Sequence, residues 1–136
     1  MRERVPVERS VHIRAPVARV WNALVDPALL EQWMGVPVAC SWEPGAPLEI
    51  GGHYPSRGTV LAVEPERRVQ YDQWSRITRL ADRPENRAIV TLEIEPDGDG
   101  TLVRLHYLSP PAIAGAEHAR FYWTVALDVL RRTLEG

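Results

Sequence analysis

The chain opens on an alternation of apolar and polar residues. Val5, Val7, Val11 and Ile13 fall on one side, with Pro6, Glu8, Ser10 and His12 on the other. A period of two predicts a strand with one buried face. Arg9 is the exception on the apolar side. The spacing then changes to three and four residues. Val17, Val20, Trp21 and Leu24 follow Pro16, which suits a first helical turn. Asp26-Pro27 interrupts that pattern and starts another, with Asp26 as cap, Leu30, Trp33 and Met34 on the apolar side, and Gly35 as the stop. Two short helices are therefore expected after the first strand.

From Val36 onward the pattern becomes short β-type runs separated by turn residues, the signature of an antiparallel meander. The expected strands are residues 36–42, 48–54, 59–63, 68–74, 88–95 and 101–107. Turns are expected at Glu43-Pro44-Gly45, from Pro55 to Gly58, at Glu64-Pro65-Glu66 and at Asp97-Gly98-Asp99-Gly100. The last of these implies a hairpin in which Val90, Leu92 and Ile94 share a face with Val103, Leu105 and Tyr107. Residues 81–87 read as a longer loop. After Ser109-Pro110-Pro111, Ala116, Ala119, Trp123, Leu127, Leu130 and Leu134 recur at helical steps, so one long helix with a core-facing stripe closes the chain. A second semi-apolar line of Tyr122, Ala126, Val129 and Thr133 widens its buried face.

Composition narrows the chemistry. At 136 residues the chain reads as one domain, residues 1–136, which buries roughly two-thirds of its unfolded surface. A formal net charge of -2 argues against nucleic acid as a partner. No apolar run approaches the roughly 18 residues that span a bilayer, and no signal region follows the charged N-terminus, so a cytoplasmic protein without a membrane partner is expected. Cys40 is the one cysteine, which excludes an internal disulfide or a multi-cysteine metal site. All sixteen basic residues are arginine. Without lysine there is no Schiff-base chemistry, because arginine stays protonated. The arginine and proline bias also suggests a GC-rich bacterial genome. The four histidines, His12, His53, His106 and His118, lack metal-ligand spacing, and Ser, His and Asp occur without a nucleophile-elbow context. No metal and no cofactor are expected.

The order of motifs then becomes specific. Ala15-Pro16 precedes Val20-Trp21; Asp26-Pro27 leads to Trp33; Gly51-Gly52 precedes Gly58; Glu64-Pro65 precedes the Tyr71 strand. The segment from Ile94 to Thr101 precedes the last strand, and Trp123 with Leu127, Leu130 and Leu134 closes the chain. Across essentially its whole length the sequence resembles the START-like superfamily known as SRPBCC, with the birch-pollen-allergen fold, and within it the heat-shock ATPase activator homologue branch. The resemblance implies an α+β helix-grip fold: a seven-stranded curved antiparallel sheet, two short helices and a long C-terminal helix. It also implies a cavity that holds a lipid-like, polyketide-like or other apolar molecule. Members include carriers, polyketide cyclases and aromatases, and co-chaperone domains, so activity does not follow from the fold.

Strand alternation puts Val7, Arg9, Val11, Leu48, Ile50, Tyr54, Val69, Tyr71, Val90, Leu92, Val103, Leu105 and Tyr107 on the cavity face, to which the helix adds Tyr122, Ala126 and Val129. The expected ligand contacts are Arg9, Trp33, Met34, Tyr54, Tyr71, Tyr107, Tyr122 and Val129. Four converging tyrosine hydroxyls would dot an apolar pocket with polar groups. Arg9 either anchors an acidic ligand or leaves for solvent at a sheet edge or bulge. Trp33 and Met34 suit a cavity mouth, while Trp21 and Trp123 belong to core stripes. Trp74, on the opposite parity from Tyr71, lies beyond a bulge or is exposed. Three functions are compatible with this pattern: binding of a small apolar or aromatic molecule, a cyclase or aromatase reaction, and a chaperone-interacting module with a protein partner.

Overall fold

A computed structural model describes residues 4–52, 55–110 and 114–136. Strand β1 (Pro6–Ile13) is followed by helices α1 (Val17–Val25) and α2 (Pro27–Met34). Then come β2 (Val38–Ala39), β3 (Pro47–Ile50), β4 (Ser56–Glu64), β5 (Arg68–Ser75), β6 (Ala88–Asp97) and β7 (Gly100–Leu108), and helix α3 (Ala114–Glu135) ends the fold. The seven strands form one antiparallel sheet in the order β1-β7-β6-β5-β4-β3-β2. This is the helix-grip arrangement.

Local chemistry explains the boundaries. Asp26 Oδ1 accepts the Ala28 N–H at 3.0 Å and caps α2, with Pro27 in its first turn and Gly35 ending it at φ 74°. The β6–β7 hairpin turns at Gly98-Asp99, with Asp97 opposite Gly100. Val90, Leu92 and Ile94 face Tyr107, Leu105 and Val103 across it, the expected register. On α3 the side chains of Ala119, Trp123, Leu127, Leu130 and Leu134 are all buried. They grip a core that includes Ile13, Val20, Leu24, Val103 and Leu105.

Three expectations need correction. Residues 36–42 do not form one strand: β2 is two residues long, and Trp42 adopts a left-handed backbone with φ 56°. The segment from Pro55 to Gly58 is not a turn, because β4 begins at Ser56. Gly58 is there for close packing, since a Cβ at that position would meet the Asp72 carbonyl oxygen at 1.8 Å. The strand expected over residues 48–54 ends at Ile50, whereas residues 81–87 are the expected loop, with a short 3-10 turn, Pro84–Asn86, inside it.

Candidate functional site

An interior cavity of about 20 Å³ lies where the layers meet. Leu24 of α1 and Leu30, Trp33 and Met34 of α2 close one side. Val38, Leu48, Ile50, Val69, Tyr71 and Leu92 supply the sheet wall, and Trp42 and Trp123 complete it. That volume accommodates one water, not a large dry void. The expected ligand-sized space between sheet and α3 is thus largely closed by side chains. Emptying even 300 Å³ would cost about 7 kcal/mol at roughly 24 cal/mol per Å³, which explains the closure.

A second, open cleft of about 450 Å³ flanks this cavity. Glu31, Glu49, Arg57, Trp74 and Arg76 border it, and Val38 and Ile50 line both spaces. These two residues are cross-strand partners in the β2–β3 ladder. The ladder is only two residue pairs long, supported by Gly51 N–H donating to Pro37 O at 2.8 Å and Val38 N–H to Glu31 Oε1 at 3.2 Å. Among the described residues few backbone bonds hold the partition, although Val38 itself is buried in the core.

The expected contact residues separate into groups. Trp33, Met34 and Tyr71 line the interior cavity. Trp33 is fixed by its indole N–H donating to Ala23 O at 2.8 Å, and Met34 is half-buried. Tyr54 lies outside the described residues. Tyr107 is half-buried between Val7 and Val90 in the sheet register, Val129 packs against the core, and Tyr122 is 39% exposed with its ring edge-on to Trp123. None of these three is among the cavity-lining residues. The reason is the seat of α3, which packs chiefly on β1 and α2 and sends one side chain, Trp123, to the cavity wall. Arg9 is exposed: β1 is an edge strand, and the guanidinium runs outward to Thr124 Oγ1 at 3.1 Å and to its neighbour's carbonyl, Glu8 O, at 2.7 Å.

Electrostatics keep the cavity neutral. Burial pushes the Tyr71 hydroxyl well above the ordinary phenol range, and nearby Tyr122, Tyr107 and Cys40 add to the shift. Burial alone pushes Tyr107 up to about 12. The Cys40 thiol is also pushed up, burial outweighing a backbone hydrogen bond with Trp42. None of these groups is a ready nucleophile or base. The lining residues of the cavity include no carboxylate, histidine or arginine.

Sequence reasoning missed Trp42, which it placed in a strand. Its backbone N–H contacts Cys40 Sγ at 3.2 Å, its ring meets Tyr71 edge-on with centroids 5.8 Å apart, and its indole Nε1 is buried without a hydrogen-bond partner among the described residues. The only hint was Glu43-Pro44-Gly45 immediately after it. The opposite, convex face of the sheet carries His12, held by Asp97 O and Asp99, and His106 between Glu8 and Glu93. Trp74 is also there, covered by Arg57 and tied by its indole N–H to Leu80 O.

Residues 14–135 match the sequence profile of the activator of Hsp90 ATPase homolog 1-like proteins. The chain belongs to this family. The fold also matches solved structures. A protein from Cytophaga hutchinsonii is 28% identical, with 99% of this chain and 97% of that one covered and a TM-score of 0.82. The Aha1 dimer from Colwellia psychrerythraea is 18% identical over 96% of both chains, TM-score 0.81. DynU16, from the dynemicin biosynthetic locus, is 23% identical over 96% of this chain and 47% of its own, TM-score 0.81. No curated protein is significantly similar. No helix among the described residues is long and apolar enough to cross a membrane.

Proposed function

We propose that this family member binds a small apolar or aromatic molecule in the space between the sheet and its helices. The observation that carries the reading is the shared wall: an apolar interior cavity and an open cleft of ligand-sized volume meet at Val38 and Ile50. The ligand enters by the cleft and displaces the two-residue β2 ladder and Met34, whose unbranched side chain adapts to varied shapes. The free protein stays closed because an empty pocket is costly. Binding rather than proton transfer is the reading because the interior cavity is lined by no carboxylate or histidine, and its Tyr71 hydroxyl is held protonated by burial.

Native mass spectrometry of the purified protein, followed by denaturation and identification of released molecules, tests this. A bound apolar compound, or one bound after incubation with naphthalene, supports the reading. A protein that stays unliganded in both cases overturns it.

A second reading rests on a different observation. Phe121, Tyr122 and Val125 on α3 are 72, 39 and 45% exposed, an apolar strip of the kind that contacts a protein partner. The family description and the Aha1 neighbour direct the test to Hsp90. Stimulation of Hsp90 ATPase by this chain, lost in Phe121→Ser, supports it; no stimulation removes it.

A further inference from the structure

Trp42 carries two costs in one residue. Its backbone sits in the left-handed region at φ 56°, and its indole N–H is buried without a partner among the described residues. It is 9% exposed and forms part of the cavity wall. Tyr71, edge-on to it, is 5% exposed, lines the same cavity, and its hydroxyl takes no part in the hydrogen bonds of the described residues. A buried, unpartnered indole N–H and, beside it, a phenol hydroxyl without a hydrogen bond among the described residues therefore stand at the wall of a space otherwise made of hydrocarbon and ring surface. A donor pair of this kind is satisfied by an acceptor that arrives with a ligand.

Resting on the cavity reading above, we infer that the ligand is an uncharged ring compound bearing a carbonyl oxygen, which accepts hydrogen bonds from Trp42 Nε1 and the Tyr71 hydroxyl. The ring follows from the aromatic walls of Trp33, Trp42, Tyr71 and Trp123. The absence of charge follows from the lining: an anion there would be buried without a counter-charge, and Arg9 points outward to Thr124. An acceptor oxygen follows from Trp42, whose indole N–H can only donate, and the Tyr71 hydroxyl, held protonated by burial, can donate to the same oxygen.

The test uses two nearly isosteric probes, acetophenone and α-methylstyrene, which exchange C=O for C=CH₂. Affinities are measured by titration of the full chain, wild type, Trp42→Phe and Tyr71→Phe, with ¹H–¹⁵N spectra of the indole N–H groups. Wild type is expected to prefer acetophenone by about two- to tenfold, the range one or two neutral hydrogen bonds supply. Trp42→Phe changes the wall for both probes alike, so the readout is the ratio of the two affinities within the variant, which falls toward one. The Trp42 indole proton moves downfield with acetophenone and not with α-methylstyrene, a readout that needs only the wild type. Equal binding of both probes with an unmoved indole signal overturns the acceptor assignment while the cavity reading stands. Binding of neither probe removes both.

Discussion

The Arg57 guanidinium lies over the face of Trp74, 4.9 Å from the ring centroid, and donates from Nε to Asp82 Oδ2 at 2.6 Å. Asp82 also accepts from Arg87, which bridges to Asp72 at 3.0 Å, so an ion network ties the segment after β5 to the convex face of the sheet. It fixes one border of the cleft, where Arg57 and Trp74 both stand. Burial pushes the Asp82 carboxyl up, but hydrogen bonds from Arg87 and Arg57 outweigh it and hold the group below its ordinary 3.8. A carboxyl with a depressed folded-state pKa stabilises fully above its unfolded value and ceases to do so as pH falls through the folded one. Asp82→Asn is therefore expected to cost about 1–3 kcal/mol at pH 7, as for hydrogen bonds to charged groups. The gap from wild type should close below pH 3.8, and urea unfolding at pH 7, 4 and 2.5 measures it. A gap independent of pH would mean the carboxylate charge is not its source.

Gly58 and Gly45 make a matched pair of substitutions. At Gly58 a methyl group collides with the Asp72 carbonyl oxygen of the adjacent strand, and backbone cannot step aside as a side chain would. Gly58→Ala should cost about 3 kcal/mol, the upper end for overpacking, and pull β4 from β5 at the cleft border. At Gly45 the added methyl meets open space, and only the positive φ of 88° is penalised, about 1–2 kcal/mol. Denaturant midpoints of the two variants test the order, and equal losses would show that β4 relaxes freely around Gly58.

How much of this was legible in the chain depends on how local each signal is. The β6–β7 hairpin and the α3 stripe were readable because alternation, turn glycines and helical spacing all agree within a few residues. Asp26 as a cap was readable for the same reason. Gly58 was not, because a glycine demanded by the neighbouring strand looks in sequence like a turn glycine. The site divides in the same way. Trp33, Met34 and Tyr71 reach the cavity because their parity and helical phase are right. Tyr107 and Val129 have the right phase as well, but where α3 settles on the sheet decides whether phase becomes contact. Arg9 shows the limit of parity: the residue is in phase with Val7 and Val11, yet an edge strand leaves its long side chain a way out.

That position for Arg9 has a testable consequence. Its partner Thr124 Oγ1 also donates to Arg120 O at 2.7 Å, and both groups are exposed, so the contact contributes little. Arg9→Ala should shift stability by less than about 0.5 kcal/mol and leave the affinity for acetophenone unchanged. Loss of binding in this variant would place the guanidinium in the site and revive an acidic ligand.

Leu130 tests the grip itself. It is fully buried on α3, between the Leu127 and Leu134 turns of the same stripe, whereas Phe121 on that helix is 72% exposed. Leu130→Ala removes buried methyl groups and leaves a hole that a sheet on one side and a long helix on the other close poorly, at an expected cost of about 2–5 kcal/mol. Phe121→Ser should stay within about 0.5 kcal/mol, since the ring is already in water. The binding prediction runs the other way from the stability one. Leu92→Phe, at the cavity wall, adds ring atoms to a space of only about 20 Å³. It should leave the fold standing, with a change below about 3 kcal/mol, while abolishing probe binding. Retained binding in Leu92→Phe would show that a ligand sits in the outer cleft and never passes Val38 and Ile50.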